Sequence, residues 1–520
     1  MSLCTPISKF NQLACNYNGI GVSILLTENY NDINVSSLLN GIPVQYIRVI
    51  IGIVDPGISF LNSSNSTTDS FWVSSIPYQT VLNDIATITP KVKLILSFHP
   101  PPTWTNSGSL VTNTQINSYA RLIVSGFIYV SSLAPTLDIL GVEPLNSPDS
   151  VNTHISTGNL INLVNYIKSI ALTRSVSFSC IGPGVSSVSP IATVIDENYV
   201  YTQALAGQPN TFDIWNINGI ENSSDLALVN TISGRSYMFL ELMKDSTMFN
   251  FTSYGKELVL SSLSSIATIF PDYVTDYGTS SPSTVEYGIR LAEGFVSGLT
   301  NRFSTVIFDQ LTNSNTALYN GSNQLQNYSQ LLTLISTKFG TTGSIYTEET
   351  LQPFNANTST LKIGLLQAGN LQFNLLLCRP VSDTFNGSLK CVINTYLWSN
   401  AYEVISCTFS YFPSSTSNSA TLLSWTFESC CSGQGTGTFV FSGLPYNCVL
   451  FIQLNLGLVP APVVVPTPPA NYLETFFQVA LTTNVPTGTI ANGTVYYNST
   501  LNEFLVFDSI LGWITASTLF

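Results

Sequence analysis

Between about residues 17 and 345, short β-branched apolar runs alternate with longer amphipathic stretches, and this alternation constrains the fold more than any other feature. Such alternation marks βα units that build a parallel sheet. The apolar runs are Gly21–Ile24, Tyr46–Ile51, Lys93–Ser97, Leu137–Val142, Ser177–Cys180, Phe212–Trp215, Tyr237–Leu240 and Ser304–Phe308. Ile116–Ser132 and Leu160–Ala171 carry helical spacing between them. Eight repeats over roughly 300 residues predict a (β/α)8 TIM barrel rather than an open sheet.

After about residue 350 the pattern changes to period-two runs punctuated by Gly and Ser, such as Ser359–Leu366 and Thr438–Phe441. These read as antiparallel β structure, a sandwich or jelly roll. Pro460, Pro462, Pro466, Pro468 and Pro469 then make a stiff, extended connector. Gly493–Tyr497 and Phe504–Phe507 carry further strand pattern. The expected division is therefore a barrel over 1–348, a β-sandwich over 349–456, a Pro-rich linker over 457–470 and a small β docking module over 471–520. About fifty residues seldom hold a core alone, so this last module is expected to dock on another copy or a partner.

Charged residues make up only 9% of the chain, against about a quarter in typical soluble proteins. The surface must then be polar but nearly uncharged, which suits secretion, glycosylation or tight assembly. A net charge of −13 leaves nothing to neutralise phosphates, so nucleic acid is not an expected partner. The start, Met1–Pro6, has no basic region and no long apolar run, so no signal peptide is expected and synthesis in the cytoplasm follows. No stretch approaches the ~20 uninterrupted apolar residues of a membrane helix. Nine cysteines are compatible with buried thiols or with a disulfide framework. With two histidines and no CxxC pair, no metal or other cofactor is expected.

Two apolar runs each end in a glutamate: Leu137–Pro144 carries Glu143, and Tyr237–Leu242 carries Glu241. A carboxylate on an apolar strand is costly to bury unless it is paired or used. Both fall at carboxyl ends of strands, where barrel active sites lie. Such a pair is what a retaining glycosidase needs, with Glu143 as acid/base and Glu241 as nucleophile.

At this point the chain resembles glycoside hydrolase family 30 and, more loosely, its family 5 relatives. Asn18–Glu28 is similar to that family's glycine-rich first strand, and Tyr46–Asp55 to its second, with Arg48 and Asp55 in place. Leu96–Trp104 resembles the third-strand Pro-Pro-Ala-Trp segment. Val142-Glu143-Pro144 stands where the family has Asn-Glu-Pro, and Phe239-Leu240-Glu241 where it has its nucleophile. The resemblance implies Arg48, His99, Trp104, Trp215 and Asn218 as substrate-binding residues around the two glutamates.

There are departures from the pattern. Val142 cannot make the hydrogen bond to the sugar 2-hydroxyl that the family's asparagine makes. His99 replaces a tryptophan. Asp213–Gly219 lacks the usual His and Tyr, and the last barrel strand ends Phe308-Asp309-Gln310 without a tryptophan. Plainer roles stand beside the functional ones: Glu143 paired with Arg48, Glu241 paired with Lys244, and Trp104 and Trp215 buried in packing.

The expected function is a structural or surface protein, of virus-particle type, built on a glycoside-hydrolase barrel with a degenerate site. It would be located in a particle or an extracellular surface assembly and would contact its own copies or other particle proteins through 457–520. Two alternatives stay open. One is an active retaining β-glycosidase acting on a surface or cell-wall glycan. The other is a glycan-binding protein that uses the same cleft, which makes carbohydrate a candidate partner.

Overall fold

The computed structural model describes residues 7–26, 39–40, 42–53, 60, 63–74, 76–87, 92–100, 104, 110, 112–133, 135, 137–145, 148, 155–185, 211–220, 237–242, 257–263, 284–300, 303–308, 329–350, 361–379, 388–395, 402–414, 420–429, 435–458, 495–498, 503–508 and 512–515. The chain opens with β1 (Ile7–Tyr17). The next strands are β2 (Ile20–Leu26), β3 (Tyr46–Gly52), β4 (Lys93–His99), β5 (Asp138–Glu143), β6 (Ile181–Val185), β7 (Ile214–Ile220), β8 (Tyr237–Leu242), β9 (Glu257–Leu263) and β10 (Phe303–Phe308). Helices α1 (Asn65–Ser74), α2 (Ile76–Ala86), α3 (Asn113–Leu133), α4 (Thr157–Thr173) and α5 (Thr284–Thr300) fall between them.

Strands β2 to β10 form one all-parallel sheet, in the order β5-β4-β3-β2-β10-β9-β8-β7-β6. The two ends of that order meet, because Val142 N donates to Ser179 O at 2.8 Å and Val142 bridges Cys180 in parallel. Gly141 permits this approach, since a Cβ there would lie 2.7 Å from Ser179 O. Among the described residues the sheet has nine strands where eight are expected. The addition is β9, whose Leu258-Val259-Leu260 core is too short to tell from helix by period. The expected fifth strand, Ser177–Cys180, gives way to Ile181–Val185, with Cys180 supplying the bridge.

Both faces of this sheet are buried, which explains its near-continuous apolar runs. Alternate residues divide between two cores. Ile47, Val49 and Ile51 of β3 and Leu94, Leu96 and Phe98 of β4 pack in the large core that holds Trp72, Val81, Leu122 and Leu163 of the helices. The opposite set, Tyr46, Ile95, Ile181, Ile214 and Ile307, forms a separate layer contributed by five strands. Such a layer is how a barrel interior is filled. Helix α3 begins in a capping box, with Thr112 Oγ1 accepting from Gln115 N at 3.3 Å and Gln115 Oε1 accepting from Thr112 N at 3.1 Å.

Helix α6 (Ser329–Leu334), continued by a π-helical turn over Ile335–Phe339, leads to the β-rich domain. Its strands are β11 (Gly343–Thr350), β12 (Lys362–Gly369), β13 (Gln372–Arg379), β14 (Leu389–Thr395), β15 (Tyr402–Phe412), β16 (Thr421–Ser429), β17 (Gly435–Ser442) and β18 (Cys448–Leu458). They form one sheet with β1, in the order β15-β18-β13-β12-β11-β1-β14-β17-β16. The amino-terminal strand, expected within the barrel, therefore belongs here. It pairs antiparallel with β11 and parallel with β14, and the expected boundary at 348 falls inside β11. The ends of this order also meet, since Trp425 Nε1 donates to Tyr402 O at 3.0 Å. The sheet thus wraps its own core, which includes Phe10, Leu365, Phe373, Phe439, Phe441 and Ile452.

The two domains share the large core. Tyr17, Phe295 and Phe339 meet edge-to-face at 5.6–6.0 Å, in one cluster with Leu366, Leu376, Val449 and Phe451. Residues Met1–Leu458 accordingly form one compact unit. A second unit, Val459–Phe520, contains the meander β19 (Val495–Asn498), β20 (Glu503–Asp508) and β21 (Gly512–Thr515). The Pro-rich connector lies outside the described residues. No described helix is long and apolar enough to cross a membrane. Among the described residues, Cys180, Cys378, Cys407 and Cys448 are free thiols, and burial pushes Cys180 and Cys448 up to about 12.

Because the core is continuous, Phe295→Ala should cost about 3–5 kcal/mol. Denaturant unfolding followed by circular dichroism and tryptophan fluorescence should show the barrel and β-rich domain melting in one shifted transition. Two separated transitions would contradict a shared core.

Candidate active site

Strand alternation decides which side chains enter the barrel interior. Tyr46 and Ile95 belong to the inner layer, so Arg48 shares its face with Tyr46, and Ser97 and His99 share theirs with Ile95. Val142 packs in the outer core, which turns its neighbour Glu143 to the inside. The register places Ser97 beside Glu143 and Arg48 beside Ile95, so three consecutive strands deliver one polar cluster.

In that cluster Arg48 Nη2 donates to Glu143 Oε2 at 2.5 Å, and Ser97 Oγ donates to the same oxygen at 2.5 Å. The side chains of Arg48 and Glu143 are only 6% and 1% exposed, so water screens this ion pair little. Ser97 adds a second short hydrogen bond to the carboxylate oxygen that Arg48 holds. His99 stands close enough to feel both charges. Burial pushes its pKa below the ordinary 6.5, the Glu143 carboxylate opposes that shift, and the Arg48 guanidinium adds to it.

The other sequence candidates divide. Trp104 is fully buried, with its ring edge-on to Tyr119 at 6.0 Å, so it offers no open face to a sugar and its substrate-binding assignment is corrected to packing. Tyr119 in turn donates its hydroxyl to Pro144 O at 3.1 Å, buttressing the turn that follows Glu143. Trp215 and Asn218 lie on β7 and Glu241 on β8, but their side chains are outside the described residues, and so is the separation of the two glutamates. In the backbone, Leu240, just before Glu241, pairs with Ile217 of β7 and Leu260 of β9. Among the described residues no His, Cys, Asp or Glu cluster could hold a metal ion.

Sequence reasoning missed Ser97, Ser23 and Tyr119. Ser23 pairs in register with Arg48, faces inward between Val22 and Ile24, and its buried hydroxyl has no partner among the described residues. Period-two counting back from His99 and along Gly21-Val22-Ser23 would have found both serines. Tyr119 carried no such signal, because its role depends on how α3 packs.

Two outcomes follow for stability. Arg48→Met should destabilise the fold by about 3–5 kcal/mol by stranding a buried carboxylate, and Arg48→Met combined with Glu143→Leu should recover much of that loss in denaturant titrations. His99 is easier to protonate unfolded than folded, so the unfolded chain binds more protons below pH 6.5. The His99 contribution is therefore complete above 6.5 and falls as pH drops through that value. His99→Gln should flatten that part of the stability–pH curve, and an unchanged slope would contradict it.

No protein-family model matches the chain, and no curated protein matches it in sequence. Solved structures do match. The family 30 subfamily 8 xylanase of Clostridium acetobutylicum is 10% identical, with 87% of this chain and 99% of that one covered at a TM-score of 0.52. A family 30 endoxylanase of Clostridium papyrosolvens is 12% identical, covering 87% and 100%, at 0.53. An endo-β1,6-glucanase is 11% identical, covering 86% and 94%, at 0.50. At these identities the likeness is one of fold, and the fold is that of family 30 glycoside hydrolases, a parallel barrel joined to a β-rich domain.

Proposed function

We propose that the chain is a carbohydrate-active protein, a retaining β-glycosidase with Glu143 as acid/base and Glu241 as nucleophile. The observation that carries this reading is the Arg48–Ser97–Glu143 cluster at the carboxyl end of the fourth parallel strand. A buried ion pair contributes little net stability, and it lies where barrel chemistry is done, so it is better explained as a site than as a brace. The xylanases and the β1,6-glucanase of similar fold suggest a neutral β-linked polysaccharide as substrate.

In this mechanism Glu241 attacks the anomeric carbon while protonated Glu143 gives its proton to the leaving oxygen. Ionised Glu143 then takes a proton from the water that releases the sugar. The ion pair with Arg48 is the geometry of the second step. For the first, Glu143 must gain a proton, so the bound glycan has to loosen the Arg48 contact.

A second reading has its own support. Arg48 on Glu143 opposes a general acid, and Val142, packed in the outer core, supplies no group to a sugar hydroxyl. Under that reading the barrel holds glycan without cleaving it, in a surface or particle protein that assembles through 457–520.

Xylan and β1,6-glucan hydrolysis separates the two. The glycosidase reading expects turnover that falls by about 10²–10⁴ in Glu143→Gln, with a smaller loss on aryl β-glycosides whose leaving group needs no proton. Glu241→Gln should abolish both activities. Retained binding with no hydrolysis of any β-glycan would overturn it in favour of the second reading.

A further inference from the structure

The structure assigns a second ligand site, for a neutral carbohydrate, to a cleft of about 370 Å³ where β1, β11 and β12 lie side by side. It is remote from Glu143. Asn18 on its rim precedes β2 at the amino-terminal end of the parallel strands, whereas Glu143 closes the carboxyl end of β5. Its volume lies within the ~300–1,000 Å³ of small-molecule sites.

The floor of the cleft is a cross-strand row. Asn16 of β1 pairs with Ser344 of β11, and Ser344 pairs with Gln367 of β12. Gln367 is only 6% exposed and is held in place, its Oε1 accepting from the Tyr346 hydroxyl at 2.9 Å and its Nε2 donating to Asn370 O at 3.3 Å. A primary amide has two hydrogens, so this fixed group can present a second donor to a ligand. Thr342, Asn18 and Asn370 add hydroxyl and amide groups around the rim. Gly343 lets β11 approach β12 closely beside the cleft, because a Cβ there would lie 2.3 Å from Gln367 O.

The chemistry of this lining selects the ligand class. Every polar side chain in it is a neutral amide or hydroxyl, with both donors and acceptors and no ionisable acid or base of the Asp, Glu, Lys, Arg or His kind. Such a set has no counter-charge for an anion or a cation and matches a dense array of sugar hydroxyls. The ligand class comes from the cleft itself, so a catalytically inert barrel would leave this inference standing.

The test is isothermal titration of the full chain with xylotriose and with the β1,6-linked disaccharide gentiobiose. Binding of at least one sugar with Kd near ~1 mM is expected. It should weaken by about ten-fold or more in Thr342→Trp, which fills the cleft from an exposed position, and in Gln367→Leu, which removes the fixed amide. Normal affinity in both cleft variants would overturn the assignment, as would no binding of either sugar by the unmodified chain.

Discussion

A carboxylate enclosed by apolar strands needs a counter-charge within reach, and for Glu143 that charge is Arg48, held across the intervening strand β4. The alternation of the parallel strands makes this possible. The same period that turns Ile47, Val49 and Ile51 toward the helices turns Arg48 inward, and Val142 toward the helices turns Glu143 inward. A one-residue slip of β3 or β5 would exchange those faces and place a charge in the helix-facing core. The ion pair and the apolar cores are therefore two consequences of one register.

Much of this was legible in the chain. The apolar runs at Tyr46–Ile51 and Lys93–Ser97 became β3 and β4, Ile116–Ser132 lies within α3, and the pairing of Arg48 with Glu143 was one of the roles the residues allowed. What escaped depends on partners distant in sequence. Residues 7–17 fall within the expected barrel span, and only their pairing with β11 and β14, more than 300 residues away, moves them to the β-rich domain. Trp104 sits in a segment that resembles a sugar-binding rim. Only the packing of α3 reveals that Tyr119 covers its ring.

The shared core gives the β-rich domain a role beyond decoration. Phe295 and Phe339 pack on Tyr17, the last residue of β1, and three residues later the chain enters β2. The strand that ends beside the amide-lined cleft thus feeds directly into the parallel sheet that carries Arg48 and Glu143. One continuous apolar seam fixes both the barrel and the row Asn16–Ser344–Gln367.

The central claim is that the Arg48-held glutamate belongs to a working retaining site. Incubation with an activated 2-deoxy-2-fluoro β-glycoside, followed by peptide mapping by mass spectrometry, tests it most directly, because a retaining enzyme forms a covalent glycosyl intermediate and the fluorine slows its release. The account predicts one sugar adduct per chain, on Glu241. No adduct under conditions where the unfluorinated sugar binds, or an adduct on another residue, would contradict it.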